Sequence, residues 1–330
     1  MKSLTIRTLL TMLILAMFCN VTVQNIQAEE QTESPEIVND NPENPEGGDA
    51  NANGEESKEK KDEDFGPVFT IELPRKLKME FIWVEKGKFN MSVRDKDSEA
   101  DEKPHEAIFA NNFYIGKTEV TQAQWLTLMP RHYFGFDVLE YPVTRVTWHM
   151  AMQFCQKLNA KKLAPEGWIF TLPTETQWEY AARGGVKAKE KPTLYSGSAK
   201  IDEVAWHEKN GKKRPHKVAR KKPNELGIYD MTGNVQEWCQ DDWDADSSKT
   251  PVSMLRPFTD NSTARRIIRG GGWRSYPEKS RVSFRTNNDP AYRSGDLGFR
   301  VIMMRDPNYK PKEEKKGEGE GAAEGENPEQ

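Results

Sequence analysis

The five histidines, His105, His132, His149, His207 and His216, show no spacing that would place two metal ligands on one helix face. A histidine metal centre therefore has no local support. Gly197-Ser198 lies in a plain turn sequence rather than a nucleophile elbow. Gly270-Gly271-Gly272 lacks the lysine and following helix of a phosphate-cradling loop. Asp242, Asp244 and Asp246 begin like a calcium loop, but Ser247 replaces the turn glycine and Ser253 the closing glutamate, so the stretch reads as a solvated acidic loop. KKRPHKVARKK (212–222) reads as a solvated basic loop, with contact to an anionic glycan or lipid head group as the alternative. Asn90 and Asn261 head sequons that only a eukaryotic cell would glycosylate. Residue types and spacing alone reveal no catalytic set.

The elements that would position any site are few helices among short strands and polar loops. MEFIWVEKGKFNMS (79–92) predicts two strands around Lys86-Gly87, and NNFYIGKTEV (111–120) predicts another. Thr121 with Gln124, and Thr174 with Gln177, have capping-box spacing, so a helix should begin at each. Met150, Phe154, Cys155 and Leu158 recur at helical spacing after Thr147, which predicts one apolar face. Gly184-Gly185 should end the helix that Thr174 starts, and no strong helix signal follows it.

Charge and hydropathy divide the chain. A mean hydropathy of −0.85 over 330 residues excludes a multi-span membrane protein. Residues 1–28 read as a secretory signal: Lys2 and Arg7 precede an apolar run from Leu9 to Phe18, and Ala28 offers a cleavage point. Cys19 raises lipid anchoring, but Phe18 is not the small residue that such processing wants. Residues 29–64 hold 14 acidic and 3 basic side chains and read as a disordered acidic linker, and 306–330 as a disordered acidic tail. Between them, 65–305 carries a net +9 and forms one domain. An exported chain of this kind would be periplasmic, cell-surface or secreted. After signal removal, Cys155 and Cys239 remain, either bridged or as buried free thiols.

KTEVTQAQW (117–125), PVTRVTW (142–148), LPTETQWEYAARGG (172–185), PNELGIYDMTGNVQEWC (223–239), RIIRGGGW (266–273) and LGFRV (297–301) occur in this order. Together they resemble the formylglycine-generating enzyme family, also called the sulfatase-modifying factor domain. The resemblance implies an α+β fold: a single loop-rich domain, C-type-lectin-like, with low regular secondary structure. The family's oxidases hold copper with two cysteines just after the RGGSW-like block, because soft thiolates suit Cu(I). Here GGGWRSYPEKSRVSFR (270–285) contains none, and Ser275 and Ser280 are poor substitutes. The resemblance thus implies neither copper nor catalytic residues. It also implies a structural calcium held by the carbonyls of Thr232, Gly233 and Val235 and the carboxylate of Glu237. The alternative is that Glu237 pairs with an arginine. The family's other calcium segment is not clearly reproduced in IDEVAWHEKN (201–210).

Arg269, Arg281, Arg285 and Arg300 read as structural partners of carboxylates rather than a ligand surface, and Trp148, Trp178, Trp238 and Trp273 as core. The expected function is an exported, non-catalytic binding or structural module of the cell envelope, with a groove near 273–296 as its recognition surface. Asn287, Asn288, Tyr292 and Ser294 are residue types that would suit such a surface. Its partner would be an envelope protein or glycan, with peripheral membrane association open and nucleic acid excluded. The alternatives are a formylglycine-generating oxidase and an accessory protein that binds sulfatase without modifying it.

Overall fold

The computed structural model describes residues 65–249 and 264–310. The expected signal at 1–28, the linker at 29–64, Ser253, Asn261 and the tail beyond Lys310 lie outside the described residues.

Three helices start where their caps demand. Thr121 precedes α1 (Gln122–Leu128) and Thr174 precedes α3 (Glu175–Ala182); in both, the threonine hydroxyl accepts from the glutamine N–H three residues on while that glutamine's side chain accepts from the threonine N–H. Each box satisfies two backbone donors that a helix start would leave bare. Thr147 caps α2 (Trp148–Ala160), which buries Ala151, Phe154, Cys155 and Leu158 on one face. α3 ends at Arg183, followed by Gly184 at φ +96°. A single turn, α4 (Ile201–Val204), is the last α-helical segment among the described residues.

Five strands form one sheet: β1 (Val68–Leu73), β2 (Leu77–Val84), β5 (Phe113–Gly116), β11 (Ile302–Arg305) and β6 (Trp168–Thr171), in that spatial order and antiparallel throughout. Its period-2 alternation sends side chains to two cores. Phe81, Tyr114 and Met303 point to one, packed with α1 and α2 around Trp125, Trp148 and Phe154. Ile82, Ile115 and Ile302 point to the other, with Trp178, Tyr180, Cys239 and Ile267. A second sheet orders β10 (Leu297–Gly298), β7 (Gln236–Asp242), β8 (Arg266–Arg269) and β9 (Arg285–Asn288). β3 (Lys88–Met91) pairs with β4 (His105–Ile108) apart from both. The strands flanking Lys86-Gly87 therefore belong to different sheets. This mixed sheet-and-helix, loop-rich arrangement is the expected α+β class, and 65–77, where the reading saw no strand, holds β1.

Candidate functional site

β8 runs into the three-glycine turn, which re-aims the chain onto the surface. Gly271 has φ +69°, and a Cβ there would lie 2.5 Å from the Ser280 hydroxyl, so no larger residue fits. Trp273 is half-buried, its N–H donating to the Asn234 carbonyl (2.7 Å) and its indole N–H to that of Gly295 (3.2 Å). Beyond it Arg274, Tyr276, Tyr292 and Arg293 are exposed. Ser294 is buried against Asp296, which also binds Arg274. Asn287 and Asn288 sit in the β8–β9 ladder opposite Ile267 and Arg266. The 273–296 segment is thus partly framework and partly exposed face.

Beneath it lies a buried ion network. Arg269 reaches Glu175 (3.1 Å) and Glu179 (2.5 Å); Arg285 grips Glu175 with two bonds of 2.8 and 2.7 Å. Glu175 and Glu179, one helical turn apart on α3, thereby clamp the helix to the β8–β9 hairpin, and Arg183 extends the chain of pairs. Arg281 takes Glu102 in a fork (2.9 and 2.6 Å) and Asp95 at 3.0 Å. All four arginines singled out from the sequence are buried and paired, so none offers a ligand surface. Trp148, Trp178 and Trp238 are core, whereas Trp273 is a surface residue by half.

The expected calcium set comes together only in part. Thr232, Gly233 and Val235 share one loop, but the Glu237 carboxylate is occupied: Arg300 binds it at 2.6 and 2.7 Å and the Trp178 indole N–H at 2.7 Å. With both oxygens committed to a guanidinium, Glu237 does not fit as a cation ligand; the arginine pairing is what the geometry gives. Two other carboxylates lie beside this loop. Glu119 accepts from the Asn234 side-chain amide (3.0 Å), and Asp230 from the Ala219 N–H (2.7 Å). Glu119 Oε2 and Asp230 Oδ1 are buried without a hydrogen-bond donor. Burial, then the charges of Asp230 and Glu237, holds the Glu119 carboxyl well above the usual carboxylate range, and burial pushes Asp230 up to about 6. Among the described residues no three His, Cys, Asp or Glu side chains converge as a metal cage. Neither acid was singled out in the sequence, although both stand inside resemblance blocks.

Cys155 and Cys239 are free and buried, one in each core, and burial pushes both thiols up. The basic run is strapped down: His216 stacks on Trp206 with ring centres 3.8 Å apart, Lys221 lies 4.3 Å over the same ring, and Lys217 pairs with Glu140 at 2.8 Å. Asp244 and Asp246 accept from N–H groups two residues ahead, as ordinary turn acids do.

The sulfatase-modifying factor enzyme 1-like domain family matches residues 70–305. A protein named chaperone protein LppX from Paenibacillus barcinonensis is 34% identical over 272 residues, covering 68% of this chain and 90% of its own. A formylglycine-generating enzyme from Thermomonospora curvata is 26% identical over 208 residues, covering 55% of this chain and 64% of its own. Among solved structures, Treponema denticola variable protein 1 superposes with a TM-score of 0.59 at 27% identity, covering 72% of this chain and 98% of that one. A profile match over most of the described core, with one such relative sharing a third of its residues, shows that this chain belongs to the sulfatase-modifying factor enzyme 1-like domain family.

Proposed function

We propose that the chain is an exported binding or structural module of the cell envelope that uses this fold without oxidising cysteine. The observation that carries the reading is the content of 270–285. It holds no thiol, and the only cysteines of the core are sealed inside it with their thiols held protonated. A copper site of the thiolate kind needs exposed, ionisable sulfur. The signal-like residues 1–28 support export, and the exposed face of Arg274, Tyr276, Tyr292 and Arg293 supports recognition of an envelope protein or glycan. Incubating the full chain with a cysteine-containing sulfatase peptide, with and without copper, tests this. No aldehyde above the blank is expected; a copper-dependent aldehyde overturns it. The enzymes among its relatives favour one other reading, a sulfatase-binding accessory, which peptide retention without aldehyde would support.

A structural calcium belongs to the same proposal, with its carboxylate reassigned from Glu237 to Glu119. Buried oxygens lacking donors must be compensated by a cation or a proton, and Glu119 Oε2 and Asp230 Oδ1 are two such oxygens. The carbonyls of Thr232, Gly233 and Val235 would supply the remaining ligands, a hard-oxygen set that suits calcium. Calcium added back to chelator-treated protein should raise the Tm of the wild type but not of Glu119→Gln. An unchanged wild-type Tm would assign the compensation to a proton shared by the two acids.

A further inference from the structure

The buried guanidinium groups of this molecule are each paired with a carboxylate. Arg300 on Glu237, Arg285 on Glu175 and Arg281 on Glu102 each grip a carboxylate with two bonds. Arg145 departs from this pattern. Among the described residues no carboxylate pairs with it, and its Nε, like that of Arg269, is buried with no acceptor. The guanidinium is nevertheless held in place. The Arg145 backbone sits at φ +58° with its N–H on the Ser294 carbonyl at 3.0 Å. A Cβ on Gly135 would lie 3.3 Å from Arg145 Nε and one on Gly295 3.6 Å from its Nη2, so the chain passes close to the group on two sides. Tyr133, 73% exposed, covers the group with its ring centre 4.9 Å from Cζ.

The surroundings are cationic and aromatic. Arg293 lies near enough to lower the His132 imidazole, behind burial as the main cause, which leaves that ring neutral. Arg274 shares Ser294 with this segment and lies 5.3 Å over Trp273. Asp296 of the same segment is turned to Arg274, Ser294 and Gln236. A positioned guanidinium with no carboxylate partner among the described residues, beneath an exposed tyrosine, is a receptor for a planar anion with two coplanar oxygens.

We propose that Arg145 is the centre of a carboxylate-binding site, and that its ligand is a Glu- or Asp-bearing segment of an acidic polypeptide. The carboxylate takes the outer Nη edge end-on, as Glu102 takes Nη1 and Nη2 of Arg281, and the segment's aliphatic atoms rest on Tyr133. This inference rests on the binding-module reading and names the chemistry its face recognises.

Calorimetric titration of the full chain with a synthetic Glu-Gly repeat peptide tests it, with a sulfated oligosaccharide of equal charge as the comparison. Arg145→Lys keeps the charge and loses the fork, so peptide affinity should fall about tenfold or more. Arg131→Gln, on an exposed pair with Asp137, should change it less than about threefold. Tyr133→Ala, on an exposed side chain that folding does not need, should weaken binding about threefold and carries the test if Arg145→Lys fails to fold. Affinity unchanged in Arg145→Lys or Tyr133→Ala overturns the site, as does binding of the sulfated oligosaccharide alone. A copper-dependent aldehyde from the earlier assay would end the non-catalytic reading without touching this fork dependence, so the two failures are distinguishable.

Discussion

Glu237 and Arg300 show what a single residue decides here. Both are fully buried, and the pair is joined by two short bonds with the Trp178 indole as a third partner. Coulomb attraction in a dry site roughly offsets the loss of hydration, so the intact pair adds little net stability, whereas removing one member strands the other. Glu237→Gln should therefore cost about 3–5 kcal/mol in urea denaturation; a cost under about 1 kcal/mol would show that Arg300 finds another partner. Glu119 and Asp230 predict a pH dependence. Their folded carboxyl groups are held above the unfolded range, Asp230 from 3.8 to about 6. The native state thus binds protons more tightly than the unfolded chain. This contribution is fully present below about pH 4 and is lost as pH rises through about 6. In calcium-free buffer the Tm of Glu119→Gln should depend less on pH across that window than the wild type. Equal dependence would place the titrating groups elsewhere.

At the scale of elements, caps and glycines set where the chain turns. Thr174 starts a helix whose residues are buried throughout, so its hydroxyl bond to the Gln177 N–H at 3.1 Å is shielded from water. Thr174→Ala should destabilise by about 1–2 kcal/mol, at the upper end for a cap, measured as a shift of the urea midpoint with an unchanged slope. Gly271→Ala faces three obstacles, the left-handed φ of +69°, the Ser280 hydroxyl 2.5 Å from the new Cβ and the Lys279 carbonyl at 2.9 Å. A loss of about 2–3 kcal/mol is expected. Adding Ser280→Gly should relieve the hydroxyl clash alone and leave the costs of the φ and of the Lys279 carbonyl. Full restoration would mean that neither the φ nor the carbonyl contact costs anything.

For the whole molecule, the order of strands matters more than their number. β11 lies between β5 and β6, and Arg300 just before it neutralises Glu237, so residues 300–305 complete both the sheet and the ion network. A chain stopped after Asp296 should lack cooperative unfolding, because the five-stranded sheet is then split and Glu237 is left uncompensated. A chain stopped after Lys310 should keep the wild-type Tm within about 2 °C, since the described core is intact. Loss of cooperativity in the longer chain would give the tail a role in the fold. The net +9 of residues 65–305 suits an acidic partner, and Arg145 gives that general attraction one address.

Local signals were legible because their physics is local. Thr121 with Gln124 and Thr174 with Gln177 are three residues apart, and each satisfies donors that any helix start would expose. The apolar spacing from Met150 to Leu158 needs only one turn-repeat to be read, and the family blocks, being ordered sequence, carry the fold with them. What the tertiary structure alone decided is which charge meets which. Arg269 and Glu175 are 94 residues apart, Arg281 and Glu102 179 apart, and Arg300 and Glu237 63 apart. No periodicity encodes such pairs. Glu237 was therefore read as a cation ligand when an arginine already held it, and Glu119 and Asp230 passed unnoticed because their burial is a property of the packed core. Arg145 was one basic residue within PVTRVTW. Only the folding of Ser294 and Gly295 against it, 149 and 150 positions away, leaves its guanidinium positioned and, among the described residues, without a carboxylate.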